Sequence, residues 1–411
     1  MITAEKLRQY AEVAVRMGVN VQPGQLLVIK GPVDCAEFIR LCVEEGYKAG
    51  AGEVVVDWQD ELVSRSHYEY GQTETLCTVP QWLIERQQEF VDRGYCVLHI
   101  DSEIPGIMEG IDQNKVQKVL TARRRALERF QDYTMSNKGQ WSIVAVPNPQ
   151  WAMKVFPELP CDEAVDALWD AILASVRIGM DQDPISLWDE HNKKLSHNNQ
   201  WLNEQNFKAL HFVNGLGTDL TVELADTHVW AGGCEKSQKG VIFNPNMPTE
   251  ENFTMPKRTG VNGKVVASKP LSYQGKLIRN FEIEFEQGKA VRWKAEECEE
   301  ALSSLIRFDE GSCYLGEVAL IDVDTPISQS GILFYDTLFD ENASCHLALG
   351  RAYPMNLQNF EELDEQQMRQ KGCNFSMVHV DFMFGNEDMQ ITGIHQDGSE
   401  TVFFSEGHFI F

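Results

Sequence analysis

Positive charge is scarce in this chain of 411 residues, which has 36 Lys and Arg against 62 Asp and Glu and a formal net charge of −26. Nucleic-acid binding depends on clustered Lys and Arg that neutralise phosphates, so this balance argues against a nucleic-acid partner. It equally disfavours binding to an anionic membrane surface. Most of the carboxylates are expected simply to keep the surface solvated.

Long apolar runs are also missing, and we expect no signal peptide. The N-terminus has no basic stretch followed by an apolar run, and no window approaches the roughly 18 apolar residues of a membrane span. The ten cysteines form no CxxC pair and have no regular spacing. In a chain of this size they are typical of reduced, mostly buried thiols, and we expect a cytoplasmic protein without a membrane partner.

Several catalytic and nucleotide-binding motifs are absent too. The sequence contains neither GxGxxG nor GxxxxGK[ST], so a nucleotide would have no phosphate cradle. It contains no HExxH, which excludes the thermolysin-type helix, and no GxSxG elbow for a nucleophilic serine. What remains is a chain with 43% hydrophobic residues, enough for sizeable cores.

The first half of the chain alternates strand-like and helix-like patterns. Continuous apolar runs separated by helical periodicity favour a parallel sheet covered by helices on both faces. From about residue 210 the pattern changes to strands with hairpin-like turns, which indicates a mixed α+β region. We therefore predict an α/β protein with two domains, 1–208 and 209–411, the second carrying the metal site. The predicted strands of the first domain are 26–29, 53–58, 95–100 and 141–146.

Two polar residues interrupt an apolar strand pattern near the C-terminus. In the segment 377–383, His379 and Asp381 are two positions apart, so they point to the same face of the strand. Burying an imidazole beside a carboxylate is costly unless both are satisfied, and a divalent metal ion satisfies both. Taken alone, these two residues slightly favour a plain hydrogen-bonded His–Asp pair without metal.

A second candidate segment runs from Asp340 to His346. We predict a short helix over 342–349 with Gly350 at its C-terminal cap, and Tyr353 on the following turn. Asp340 and Glu341 then precede the helix, where carboxylates favour the helix dipole; this explanation is preferred for Asp340. Glu341 is close enough to His346 for both to reach one ion.

Two further carboxylates lie in unusual settings. Glu317 interrupts the strand-like run 315–320, where a carboxylate needs a partner or a metal. Glu250 and Glu251 are adjacent in a loop between two prolines, so their side chains diverge and at most one is expected to be a ligand. An exposed acidic loop is the simpler interpretation of that pair.

Together these residues supply two histidines and several carboxylates, the donor set of Zn²⁺, Co²⁺, Mn²⁺ or Mg²⁺. More carboxylates are present than one ion needs, which fits two adjacent ions. Two alternatives use the same ligands. One is a non-catalytic metal-binding α/β protein, and the other is a metal-dependent hydrolase or lyase acting on another small polar substrate.

Four short motifs, in their order along the sequence, resemble those of the aminopeptidase T/aminopeptidase S family of metallopeptidases (family M29). These are PTEExFT at 248–254, GEVAL at 316–320, DENA at 340–343 with the nearby HxALG, and HVDFM at 379–383. The similarity runs nearly end to end, because an α/β domain of this kind precedes the site in that family. It implies a metal-dependent aminopeptidase acting on peptides with a free N-terminus, and a homodimer.

By position, the resemblance implies two divalent ions per subunit and six metal ligands: Glu251, Glu317, Glu341, His346, His379 and Asp381. It further implies Tyr353 as an active-site phenol that hydrogen-bonds the reacting carbonyl, and Glu317 as a catalytic, bridging carboxylate. Asn252 stands where the family usually has an apolar residue, and Met255 where it has a small one. Both departures are expected to reshape the substrate pocket.

Overall fold

The computed structural model describes residues 2–179 and 182–411. The chain divides into two compact units, Met1–Glu190 with Cys234–Pro248, and His191–Gly233 with Thr249–Phe411. The division is not simple in sequence, because Cys234–Pro248 belongs to the first unit although residues on both sides of it belong to the second. In the described part of the chain, no helix combines the length and apolar composition that a bilayer crossing requires.

A parallel sheet forms the centre of the first unit, as the sequence predicts. Its strands are β1 Leu26–Pro32, β2 Glu53–Gln59, β3 Cys96–Asp101 and β4 Trp141–Ala145, in the order β2-β1-β3-β4. Strand β1 is almost wholly buried, which explains its continuous apolar run. A small pair, β7 Glu235–Lys236 and β8 Ile242–Phe243, belongs to the same unit.

Helices connect these strands and follow the predicted periodicity closely. The first helix continues after Val13 as a short π-helical segment that ends at Gly18, the predicted stop. Helix α9 runs through the boundary between the two units. The helices up to this point are α1 Ala4–Val13, α2 Ala36–Lys48, α3 Glu61–Tyr70, α4 Thr73–Leu76, α5 Gln81–Asp92, α6 Gln113–Met135, α7 Pro149–Val155, α8 Cys161–Ser175 and α9 Pro184–Gln205.

The second unit is built mainly from a large, predominantly antiparallel sheet. Its strand order is β11-β12-β10-β6-β5-β17-β18-β19, with β13 paired to β12. The predicted hairpin at Gln287 and Gly288 joins β12 to β13. These strands are β5 Ala209–Val213, β6 Asp219–Leu224, β10 Pro256–Val266, β11 Leu271–Tyr273, β12 Lys276–Glu286, β13 Lys289–Glu297, β17 Gln390–Ile394, β18 Glu400–Ser405 and β19 His408–Phe409.

A second, four-stranded antiparallel sheet in this unit has the order β16-β15-β14-β9. Its strands are β9 Asn252–Thr254, β14 Leu315–Leu320, β15 His346–Gly350 and β16 His379–Met383. The remaining helices of the unit are α10 Glu299–Ile306, α11 Pro326–Ser330, α12 Thr337–Asp340 and α13 Glu365–Gln370. Leucine, valine and phenylalanine side chains from both sheets pack into one core cluster.

The predicted helix over 342–349 is wrong. The chain makes a short 3-10 turn at Glu341–Ala343 and then enters strand β15, which is buried along its whole length between β14 and β16. A short, continuously apolar run carries no reliable periodicity, so pairing with neighbouring strands decides its conformation. Gly350 does have a positive φ of 108°, but at the end of a strand, where a Cβ would overlap the carbonyl oxygen of Val378.

Candidate metal centre

The four-stranded sheet of the second unit places polar side chains together on one face. In its register, Glu317 on β14 lies opposite Ala348 on β15, and Ala348 lies opposite Asp381 on β16. Because the middle residue has only a methyl group, space remains between the two carboxylates. Glu317 is almost completely buried, as the sequence predicts for a carboxylate that needs partners.

His346 is the fully buried histidine of this face. Its Nε2 atom lies 3.2 Å from Oε2 of Glu251 and 3.3 Å from Oε1 of Glu317. Glu317 comes from the neighbouring strand β14, and Glu251 immediately precedes the edge strand β9, so only the fold brings both carboxylates to one imidazole. These three residues offer ligand atoms that all lie within 4.8 Å of one another.

His379 forms a second group of the same kind on the neighbouring strand. Its Nε2 lies 3.3 Å from Oδ1 of Asp381 and 3.8 Å from Oε2 of Glu317. The predicted shared face of His379 and Asp381 is therefore present. The ligand atoms of Glu317, His379 and Asp381 also lie within 4.8 Å of one another, so Glu317 belongs to both groups.

A backbone carbonyl oxygen faces the Nδ1 atom of each imidazole. Nδ1 of His379 lies 2.6 Å from the carbonyl oxygen of Arg351, and Nδ1 of His346 lies 3.4 Å from that of Ser344. A hydrogen bond from Nδ1 to a carbonyl places the proton on that nitrogen. It leaves each Nε2 free to bind a metal, which is how metal-binding histidines are usually fixed.

The interpretation of Glu250 and Glu251 as an exposed acidic loop is wrong, because both side chains are buried, but the two side chains diverge as expected. Glu251 faces His346, whereas Oε2 of Glu250 lies 3.6 Å from Nε2 of His191. The backbone N–H of Glu250 donates to the side chain of Asn342 over 2.7 Å. Asn342 thereby ties the Glu251 loop to the turn that precedes His346, a positioning role that its place in the sequence does not reveal.

Burial and mutual repulsion shape the titration of these groups. Burial raises the pKa of Glu317, and the charges of Glu251 and Asp381 add to that increase. Burial lowers the pKa of His346, but its hydrogen bonds to Glu251 and Glu317 outweigh that effect and raise the pKa well above the ordinary value. The positive charge of His346 therefore offsets the repulsion among the carboxylates only in part. A bound cation would stabilise the charged form of all of them.

Glu341 lies beside this cluster rather than inside either ligand group. Its carboxylate and that of Asp381 line the same small cavity of about 50 Å³. Burial, and then the charges of Asp381 and Glu251, raise the pKa of Glu341 well above the ordinary value. A cation in that cavity would lie close to the carboxylates of both Glu341 and Asp381.

The helix-dipole explanation for Asp340 is wrong. Asp340 is the last residue of α12, and Asp336 caps the start of that helix instead. The Asp340 carboxylate accepts hydrogen bonds from the backbone N–H groups of Phe334 at 2.7 Å and Asp336 at 3.2 Å. Burial raises its pKa to about 7. It shapes the loop beside the small cavity and is not in either ligand group.

Tyr353 follows the strand of His346 and lies against the second histidine. Its ring centroid is 4.6 Å from that of His379. Burial, and then the charges of Glu317 and Asp381, raise the pKa of its phenol, so the hydroxyl keeps its proton at neutral pH. The phenol is thus a hydrogen-bond donor beside the ligand groups.

Asn252 and Met255 point away from the cluster. The Asn252 amide donates to the carbonyl of Leu195 at 3.0 Å and to Asn199 at 2.7 Å, and its oxygen accepts from Asn198 at 3.1 Å. All three partners are on helix α9. Met255 is buried in a satellite core with Ala225, Ala352, Leu357 and Cys373. Neither side chain lines the small cavity of about 50 Å³ beside Asp381.

The residues present fit divalent ions on two observations. Oδ1 of Asp381 is buried and accepts no hydrogen bond from any described residue, although Nε2 of His379 is close. Such an orphaned carboxylate oxygen is costly without a cation. In addition, the two ligand groups consist only of imidazole and carboxylate, the donors that catalytic zinc and related ions prefer.

Together, the α/β fold and this buried centre define a metalloprotein. Residues 3–409 match the sequence model of the thermophilic metalloprotease family M29, and the chain belongs to that family. It is 42% identical to aminopeptidase AmpS of Bacillus subtilis, over 99% of both chains. It is 40% identical to aminopeptidase T of Thermus aquaticus, over 99% of this chain and 98% of that one.

The fold agrees with this assignment. The solved structure of wild-type AmpT from Thermus thermophilus superimposes with a TM-score of 0.90 at 38% identity, covering 99% of both chains. The predicted α/β fold class and the predicted family are both confirmed.

Proposed function

We propose that this chain, a metallo-aminopeptidase by its family and by the names of its relatives, releases the N-terminal residue of peptides with two divalent ions and an activated water. One observation supports this most directly. Oε1 of Glu317 faces His346 and Oε2 faces His379, so one carboxylate spans both ligand groups. A shared carboxylate is the arrangement expected of two adjacent ions.

In this proposal, Glu251, Glu317 and His346 would hold the first ion, and Glu317, His379 and Asp381 would hold the second. Glu341, which lines the cavity beside Asp381, completes the predicted ligand set. The ions are Zn, Co, Mn or Mg. When bound, such ions lower the pKa of a water molecule and polarise the scissile carbonyl group.

The chain's own residues orient the substrate and stabilise the negative charge that develops on its carbonyl oxygen. Tyr353 keeps its proton and donates a hydrogen bond to the carbonyl oxygen, which becomes negatively charged during attack. Glu317 is the proposed catalytic carboxylate, since it faces both ligand groups. The free α-amine of the peptide is held by the centre or by a nearby carboxylate such as Glu341, which would restrict cleavage to the first residue.

The wider predictions follow from the same proposal. Residues 209–411 carry the catalytic machinery, and residues 1–208 form the α/β domain. The substrates are peptides with a free N-terminus, and neither nucleic acid nor membrane is a partner. The chain is proposed to work as a homodimer in the cytoplasm.

A matched pair of peptides tests the activity. The purified protein should release the first residue from a peptide with a free N-terminus, and should leave the same peptide untouched when its N-terminus is acetylated. A chelator should abolish the release, and Co²⁺ or Zn²⁺ should restore it. Elemental analysis should find two ions per subunit.

Other outcomes would contradict the proposal in distinct ways. A tightly held single ion without peptide cleavage would indicate a structural metal site, because catalysis needs an open coordination position. Cleavage of the acetylated peptide would contradict recognition of the free amine. Full activity after complete metal removal would contradict the metal-dependent mechanism itself.

A further inference from the structure

A cavity of about 370 Å³ lies in the first unit, lined by strands of the parallel sheet and the end of α6. Its volume is in the range of small-ligand sites, roughly 300–1,000 Å³. Its walls include both charged and apolar side chains, among them Lys30, Gln59, His99, Asp101, Trp141 and Ile143. None of these residues belongs to the metal centre of the second unit.

The register of the sheet aligns the polar residues of this cavity. Lys30 on β1 pairs with Asp57 on β2 and with His99 on β3, and His99 pairs with Ile143 on β4. In the strand order β2-β1-β3-β4, β2 lies on one side of β1 and β3 lies on the other. The chain therefore changes direction across the sheet at β1 and β3. Open α/β sheets bind ligands near the carboxyl ends of their strands at such a switch point.

The ammonium group of Lys30 has no hydrogen-bonded partner among the residues that the structure describes. Its neighbour Asp57 is already paired with Arg86, whose guanidinium lies 3.2 Å from the carboxylate. Burial lowers the pKa of Lys30, which shows that its charge is poorly solvated there. An anionic group entering the cavity would therefore be attracted to Lys30.

Asp101, at the end of β3, presents the opposite charge to the same cavity. Its Oδ1 accepts a hydrogen bond from the backbone N–H of Glu103. Burial raises its pKa. Asp101 is in neither of the described groups that could hold a metal ion.

Apolar and neutral groups line the same cavity. Burial, and then the charge of Lys30, lower the pKa of His99 to about 3, so its imidazole is neutral at physiological pH. The indole N–H of Trp141 donates to Asn137 over 3.2 Å, which leaves its ring as an apolar wall. Ile143 extends that wall.

We propose that this cavity binds a small zwitterion of the α-amino-acid class with an apolar or aromatic side chain. Its carboxylate binds Lys30, its ammonium group binds Asp101, and its side chain packs on Trp141. The opposite charges of Lys30 and Asp101 in one cavity with an aromatic wall are the juxtaposition that favours a zwitterion over a simple anion or cation. This site is independent of the peptidase activity proposed above.

Calorimetric titration of the full chain with three related probes tests the charge pattern. L-phenylalanine carries both charges, 3-phenylpropanoate lacks the ammonium group, and phenethylamine lacks the carboxylate. Because a hydrogen bond to a charged group contributes about tenfold in affinity, each analogue should bind at least about tenfold more weakly than L-phenylalanine. Equal binding of the analogues would overturn the zwitterion proposal.

Two variants with matched controls locate the site. Lys30→Met and Asp101→Asn should each weaken L-phenylalanine binding about tenfold or more. The exposed substitutions Lys118→Met and Asp92→Asn should leave it unchanged. Peptide cleavage without added L-phenylalanine should persist in Lys30→Met, so this result is separable from any failure of the peptidase assay.

Hydrogen–deuterium exchange of the unaltered protein decides the location even if a variant fails to fold. Bound L-phenylalanine should slow exchange in residues 96–101 and 134–143. Slower exchange only around residues 340–353 and 379–383 would place the ligand at the metal centre and overturn the proposal. So would the absence of any binding at millimolar L-phenylalanine.

Discussion

Two histidines on the faces of two four-stranded sheets respond to burial in opposite ways. His99, on the parallel sheet, loses proton affinity through burial and through the neighbouring Lys30, and its pKa falls to about 3. His379, on the antiparallel sheet, is also penalised by burial. There, however, Asp381 and then Glu317 outweigh the penalty and raise the pKa to about 9.

The difference shows that the charge of the nearest neighbours, more than burial, decides what each sheet face can bind. The antiparallel sheet surrounds its histidines with carboxylates, and a cation relieves their repulsion. The parallel sheet sets a lysine beside its histidine and a carboxylate further along the strand, so neither a simple cation nor a simple anion satisfies it. Four predictions test this contrast.

Removing a histidine from the carboxylate-rich face should have the largest effect. His379→Ala removes a proposed ligand and leaves Asp381 and Glu317 without their imidazole neighbour. We expect loss of bound metal and a fall in turnover of at least about a thousandfold, since a catalytic ion supplies several kcal/mol of transition-state stabilisation. Elemental analysis and peptide cleavage measure both.

The matched control is His211→Ala, because His211 is a half-buried histidine of the same unit with Asp219 as its partner, outside the ligand groups. Its metal content and turnover should equal those of the unaltered protein. Unchanged turnover in His379→Ala would show that the carboxylate-rich face is not the catalytic centre.

Tyr353→Phe should have the next largest effect. It removes the protonated phenol but keeps the ring that packs against His379. Loss of one hydrogen-bond donor to a developing oxyanion lowers kcat by about 10²–10³. Metal content and KM should change little. Tyr273→Phe provides the control, and a large loss of metal in Tyr353→Phe would mean that the tyrosine supports the ligands rather than the reacting carbonyl.

Asn252→Ala separates two roles of the residues near the centre, namely binding the metal and holding strand β9 in place. The substitution removes three hydrogen bonds to helix α9 and leaves buried amides without partners. We expect the free energy of unfolding to fall by about 1–3 kcal/mol while the metal content is retained. Asn262→Ala, at an exposed position, should lower the free energy of unfolding by less. Denaturant titration measures both variants, and equal losses would contradict the importance of the buried hydrogen bonds.

The smallest effect concerns His99 and pH. Its pKa is about 3 in the folded chain against an ordinary value of 6.5. Between these pH values the unfolded chain takes up a proton that the folded chain does not. The stability that neutral His99 contributes is therefore present above pH 6.5 and is lost as the pH falls towards 3, by at most about 1.4 kcal/mol per pH unit.

His99→Gln should flatten this dependence between pH 6.5 and 5. Native-state hydrogen exchange of amides in β3 can follow it, which avoids treating a chain of two units as one unfolding transition. An identical slope in the variant would mean that His99 titrates normally, and the contrast with His379 would then disappear.

Local patterns in the sequence were sufficient for much of the fold. The four strands of the parallel sheet, the hairpin at Gly288 and the shared face of His379 and Asp381 follow from apolar runs, turn residues and a two-residue period. The unusual carboxylate at position 317 indicated a partner or a metal because burial of such a group is costly. These features depend on residues close together in the chain.

Other features depended on contacts between distant segments. Strand β15 looked like a helix because a short apolar run suits both conformations, and only its pairing with β14 and β16 decided the outcome. The positioning role of Asn342 and the anchoring of Asn252 to α9 arise from partners roughly 90 and 55 residues away. Likewise, no local signal marks Cys234–Pro248 as part of the first unit.

The sequence by itself thus determined the kind of element at most positions and the donor chemistry of the centre. The tertiary structure decided which donors share a face, since register brings Glu317 and Asp381 to either side of Ala348. It also decided the charge state of each histidine. Periodicity is a property of neighbouring residues, whereas electrostatic environment is a property of everything packed within a few ångströms.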